Sequence, residues 1–160
     1  ISAVDLLKGI AVGAGMTNIS VENANGGLHT NYKGKAEAAV KALTEDGFDF
    51  VYVHIEAPDE MGHQGSYEKK VQAIQYIDEN VVKHVTEELE NKGIDFRILV
   101  LPDHPTPVRI RTHASDPVPY MLYDNTKKRE ESWNYNEREA KESGIYMEEG
   151  YRLIEHLFEK

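Results

Sequence analysis

Residues Phe50 to His63 read FVYVHIEAPDEMGH, and the fold turns on how this stretch is understood. Phe50, Val51, Tyr52, Val53 and Ile55 are apolar and largely β-branched or aromatic, which predicts a buried strand over Phe48–Ile55. Pro58 cannot donate to a ladder and ends that strand. Beyond it stand Asp59 and His63, with Gly62 directly before the histidine, in what reads as a loop bent by the proline and the glycine. A second stretch repeats the design. Arg97 to His104 (RILVLPDH) runs from a strand into Asp103 and His104, and His113 lies further along the same loop.

The rest of the chain supplies covering layers. Val4, Leu6, Leu7, Ile10 and Ala11 predict a first helix, with Ser2 as its cap and glycines 13 and 15 as its stop. Ile19 and Val21 suggest a short strand over 16–22. Lys35–Leu43 is alanine-rich at helical spacing. Val71, Ile74, Ile77, Val81, Val85 and Leu89 recur at steps of three and four, so a long helix follows Ser66. Ile94–Leu101 and Val118–Tyr123 read as strands, 124–136 as polar irregular chain held by Trp133 and Tyr135, and Glu137–Ser143 as a turn or two of helix. Met147–Phe158 closes the chain as an amphipathic helix with Tyr151, Ile154, Leu157 and Phe158 inward and Leu153 at the edge. Helices alternating with strands predict an α/β protein with a largely parallel sheet flanked by helices.

Composition narrows function. A 160-residue chain can bury a substantial core in one domain. Its net charge of -10, without a basic run, argues against nucleic acid or an anionic membrane as partner. There is no cysteine, so disulfides and thiolate metal sites are excluded. No stretch has the length of a membrane span and no basic-then-apolar leader is visible, so a cytoplasmic location is the default. The chain begins at Ile1 instead of methionine, already inside an apolar pattern, which is expected either of processing or of a piece of a longer protein. The sequence sets no oligomeric state.

In open α/β sheets, ligands bind outside the carboxyl ends of strands. Asp59, His63, Asp103, His104 and His113 are predicted to gather there. Carboxylate oxygen with imidazole nitrogen suits zinc, manganese or iron. One Asp-x-x-x-His alone is more often solvated surface, and so is one Asp-His pair; their coincidence at two strand ends favours metal. His54, inside a strand, reads as a hydrogen-bonded core residue, and His29, His84 and His156 as surface. The run GIAVGAG (9–15) follows a helix rather than a strand and is not a phosphate loop. Lys8 and Lys35 could meet an anion, although solvated lysines are far commoner.

Six stretches, ISAVDLLKGIA, TNYKGKAEAA, VHIEAPDEMGH, LPDHPTP, THASDPVPY and ESGIYMEEGYRLIEHL, resemble the cofactor-independent phosphoglycerate mutases of archaeal type, within the alkaline phosphatase superfamily. They span nearly the whole chain in the family's order. The resemblance implies an alkaline-phosphatase-like domain, incomplete on its amino-terminal side, with this chain as the carboxyl-terminal portion. It implies two divalent ions, manganese or zinc first, with magnesium, iron or cobalt as alternatives. Asp59, His63 and His113 would hold one ion; Asp103 and His104 would help hold the other. Lys8 would match a lysine that meets the substrate. The nucleophilic serine and a further aspartate of the family have no counterpart here, so the chain alone is expected to be inactive. The implied reaction interconverts 3- and 2-phosphoglycerate through a phosphoserine. Rival readings are a phosphopentomutase-like or phosphatase activity on the same scaffold, and a non-catalytic metal-binding module.

Overall fold

The computed structural model describes residues 1–127 and 132–159. The chain divides into two compact units: Ile1–Lys92 with Thr106–Thr112, and Gly93–Pro105 with His113–Lys160.

The first unit is helical. Helix α1 is Asp5–Gly13, and Gly15 follows it in the left-handed region at φ +74°. The cap expected at Ser2 is not formed: Val4 stands at the N-cap position, with no side-chain cap bond. The Ser2 hydroxyl accepts the Val4 N–H at 3.0 Å and hydrogen-bonds His54 Nδ1 at 3.2 Å. Leu6, Ile10 and Val12 are exposed, so the apolar face of α1 is largely uncovered among the described residues. Helix α2, Tyr32–Thr44, is capped by Asn31, whose side chain accepts the Gly34 N–H at 2.9 Å. Its Ala36, Ala39 and Ala42 are buried. Side chains that stop at Cβ let neighbouring helices approach closely, and Val81, Val85 and Leu89 fill the space opposite.

Residues 48–55 do not form a regular strand, and 16–22 form none either. The first of these segments nevertheless carries a strand's bonding at one point. The Ile1 amine donates to the Tyr52 carbonyl at 2.8 Å, and the His54 N–H donates to the Ile1 carbonyl at 2.9 Å. That exchange is the pattern of one rung of a parallel ladder. Next comes α3, Ala57–His63, where a loop was predicted. Pro58 occupies its first turn, where the missing N–H costs nothing because that donor would have no partner inside the helix. Helix α4 is Tyr67–Ile77; Ser66 stands at its N-cap position without a side-chain cap bond. A π-helical turn, Asp78–Val82, joins α4 to α5, Lys83–Asn91. The long helix read from the sequence is therefore present, with one wide turn inside it.

The second unit holds β1, Arg97–Val100, and β2, Met121–Asp124. They pair antiparallel, Arg97 opposite Asp124 and Val100 opposite Met121. The largely parallel sheet predicted from sequence is thus not seen among the described residues. The reason lies in the connection: parallel neighbours need a crossover, usually helical, and residues 101–120 contain no helix and five prolines. Asn125 extends the pairing, accepting the Phe96 N–H at 2.8 Å and donating to the Ile94 carbonyl at 2.9 Å. Helix α6 is Glu137–Glu142, and a 3-10 turn, Gly150–Arg152, leads into α7, Leu153–Phe158. Leu153 is the buried residue of α7, while Tyr151, Ile154 and Phe158 are exposed, the reverse of the expected face. Tyr135 does tie its segment down, its hydroxyl donating to the Pro119 carbonyl at 3.0 Å. Part of the expected irregular stretch, residues 128–131, lies outside the described residues.

Candidate metal centre

In the first unit, Asp59 and His63 sit on α3 four residues apart, a spacing that places both side chains on one helix face. Asp59 Oδ2 lies 3.3 Å from His63 Nε2. The other imidazole nitrogen, Nδ1, is 2.9 Å from the Arg111 carbonyl. A carbonyl can only accept, so Nδ1 carries the proton of the neutral ring and Nε2 keeps its lone pair. Arg111 itself has φ +54°, a left-handed conformation uncommon outside glycine. The remaining oxygen, Asp59 Oδ1, accepts a hydrogen bond from the Thr106 hydroxyl. Thr106 is buried, and its carbonyl accepts the Lys70 ammonium at 2.6 Å.

In the second unit, Asp103 and His104 form a second pair, Oδ2 to Nε2 3.5 Å. The His104 N–H donates to Asp103 Oδ1 at 3.1 Å, which steadies the carboxylate. His113 packs its ring on His104, centroids 3.7 Å apart. Asp59 and His63 are half-buried, and His113 is exposed.

The donors fit a divalent ion. Ligand bonds of about 2.0–2.2 Å in a tetrahedral site put neighbouring donors about 3.3–3.6 Å apart. Both Asp–His pairs have that separation, and oxygen with nitrogen is the donor mixture such ions take. A protonated imidazole would form an ion pair in the same place, so proton and metal compete for one lone pair.

Lys8 lies on α1, its ammonium 3.0 Å from the exposed Asp5 carboxylate. Lys35 is not the solvated lysine that base rates suggest. It is buried, and its ammonium donates to the His54 carbonyl at 2.9 Å. Burial lowers its pKa, opposed by the nearby Glu56 carboxylate. Glu56 in turn is pushed up, first by burial and then by Glu60 and Asp59. Three contributors went unread in the sequence: the Thr106 hydroxyl, the Lys70 ammonium and the Arg111 carbonyl. Thr106 had a legible signal, since Pro107 restricts its backbone and Pro105 fixes the residue before it. A backbone carbonyl leaves no such trace.

A family model described as the metalloenzyme superfamily matches residues 1–154. The chain is 45% identical over 161 aligned residues to a probable 2,3-bisphosphoglycerate-independent phosphoglycerate mutase of Geobacter sulfurreducens, covering 100% of this chain and 40% of that protein. It is 47% identical to the 2,3-bisphosphoglycerate-independent phosphoglycerate mutase of Methanosarcina barkeri, over 96% of this chain and 38% of the relative. The solved structure of the PH0037 protein from Pyrococcus horikoshii superposes with a TM-score of 0.76 at 30% identity, covering 89% of this chain and 42% of that one. The chain therefore spans about two-fifths of the length of the curated relatives it matches. With a match that runs through all five residues of the two Asp–His pairs and His113, the chain belongs to the metalloenzyme superfamily.

Proposed function

We propose that this chain is the metal-holding part of a 2,3-bisphosphoglycerate-independent phosphoglycerate mutase. Asp59, His63 and His113 hold one divalent ion and Asp103 with His104 contributes to a second, manganese or zinc in each case. The observation that carries the reading is the repeated pair, carboxylate Oδ2 and imidazole Nε2 at 3.3 and 3.5 Å, within sequence shared with mutases. His113 joins the first set because it stands two residues beyond Arg111, whose carbonyl orients His63.

When bound, such ions supply positive charge that ionises a hydroxyl nucleophile and offsets charge on the phosphoryl oxygens. The chain's own residues prepare the sites. Arg111 fixes the His63 tautomer, and the Asp103 carboxylate is steadied by the amide next to it. Lys8 meets the phosphate of the substrate, exchanging an exposed ion pair that is worth little in water. The substrate is 3- or 2-phosphoglycerate, and the setting is the cytoplasm. Among the described residues no helix is long and apolar enough to cross a membrane.

Two measurements test this. Zinc or manganese titration of the protein should show uptake that His63→Ala weakens strongly; equal uptake by both would refute the first site. Replacing the matching segment of the M. barkeri enzyme with this chain should preserve conversion of 3- to 2-phosphoglycerate. A folded chimera without that activity would refute the mutase reading.

A further inference from the structure

We propose that Thr106 is a positioning residue for the Asp59 carboxylate, holding Oδ1 so that Oδ2 faces the same point as His63 Nε2. This rests on the metal reading above and assigns a role to a side chain outside the ligand set. A carboxylate on a short side chain turns easily about χ2, and the two-fold torsion presents either oxygen. The Thr106 hydroxyl donates to Oδ1 and removes that freedom, leaving Oδ2 at 3.3 Å from Nε2. The imidazole is fixed in the same way from its far side by the Arg111 carbonyl. Each ligand thus has one atom tied to residues 106–112 and one atom turned away from that tie.

The hydroxyl is itself fixed on three sides. Pro107 confines the Thr106 backbone, and Pro105 fixes its own φ just before it. The Lys70 ammonium holds its carbonyl from α4 at 2.6 Å. Gly62, between the two ligands on α3, makes room for it: a Cβ there would stand 2.5 Å from the Thr106 carbonyl oxygen and 2.9 Å from its methyl. The glycine immediately before the histidine is therefore required by a close approach. Thr106 is also almost fully buried, so no water can replace its hydroxyl without displacing protein.

The test is zinc binding to the whole chain by calorimetry, in wild type, Thr106→Val and Thr106→Ser, with the melting temperature of each metal-free protein and a crystal structure of metal-free Thr106→Val. Loss of the outer hydrogen bond should weaken zinc binding about 10–100-fold in Thr106→Val. Thr106→Ser keeps the hydroxyl and should bind within about threefold of wild type, on the same reasoning. The structure should show Asp59 turned away from His63. A merely structural role would lower the melting temperature and leave affinity alone, and that outcome overturns the proposal. So does a Thr106→Val protein that keeps wild-type affinity with Asp59 unmoved. Wild-type protein that takes up no zinc would overturn the metal reading instead, a result distinguishable because it appears before any substitution is made.

Discussion

Replacing Gly62 by alanine sets two known effects of opposite sign against each other. Gly62 lies within α3, where alanine is favoured over glycine by about 1 kcal/mol. Helix propensity alone would therefore stabilise the variant. Packing opposes this, because the new Cβ would stand 2.5 Å from a backbone oxygen, closer than such contacts occur. Thr106 cannot withdraw freely, held as it is by Lys70 and by Asp59. Overpacking of this kind costs about 1–3 kcal/mol. The difference is a net loss of about 1 kcal/mol, or a melting temperature lower by about 2–4 °C in a chain this long. Gly9→Ala is the control. Gly9 is inside α1 with nothing within 4 Å of its virtual Cβ, so only the propensity term acts and the melting temperature should rise. Thermal unfolding followed by circular dichroism reads both. A rise of similar size in Gly62→Ala and Gly9→Ala would refute the close approach, and with it the account of why a glycine precedes His63.

Two other outcomes follow from the units described. Leu89 is almost fully buried between α5 and α2, and Leu89→Ala should cost about 2–5 kcal/mol, read as a lower urea midpoint for loss of helical signal. The Asp124 carboxyl is held far below its usual range, first by the Thr126 hydroxyl at 2.6 Å and then by the Arg97 guanidinium at 2.7 Å. A depressed folded-state pKa means stability that is present above the unfolded value of about 3.9 and lost as pH falls below it. Unfolding midpoints measured from pH 6 to pH 3 should therefore fall less steeply in Asp124→Asn than in wild type; parallel curves would show that the carboxylate contributes nothing.

The helices read most clearly in the sequence are those with a one-sided apolar pattern and a clean stop. Tyr32–Thr44 and Lys83–Asn91 are near their predicted places, the second carrying Val85 and Leu89 inward as expected. Pro58 is ambiguous in sequence, since proline breaks a strand and also suits the first turn of a helix, as it does in α3. The spacing of Asp59 and His63 serves either reading, since four residues converge on a helix at least as well as in a bent loop. Residues 48–55 have strand composition, yet pairing depends on a neighbour supplied by the rest of the chain, and composition cannot report one. The α7 face differs from expectation because Tyr151, Ile154, Leu157 and Phe158 form a stripe as regular as one through Leu153, and spacing alone does not choose between them. Lys35 was invisible as a buried residue because only the fold reveals that the His54 carbonyl lies within reach of its ammonium.

The π-helical turn at Asp78–Val82 has a consequence for how the long helix tolerates change in length. Ala73 and Val81 are both buried, eight positions apart. On an unbroken α-helix eight residues would separate them by about 80° around the axis. A wide turn absorbs one residue and reduces the offset to about 20°, so both stay on the same side. A chain one residue shorter at the exposed Asp78 or Glu79 would simply close into ordinary α-helix, with Val85 and Leu89 undisturbed. The same deletion after Val82 would swing Leu89 about 100° out of the core. Single-residue gaps between related chains should therefore collect in this turn and be missing from the helix on either side of it.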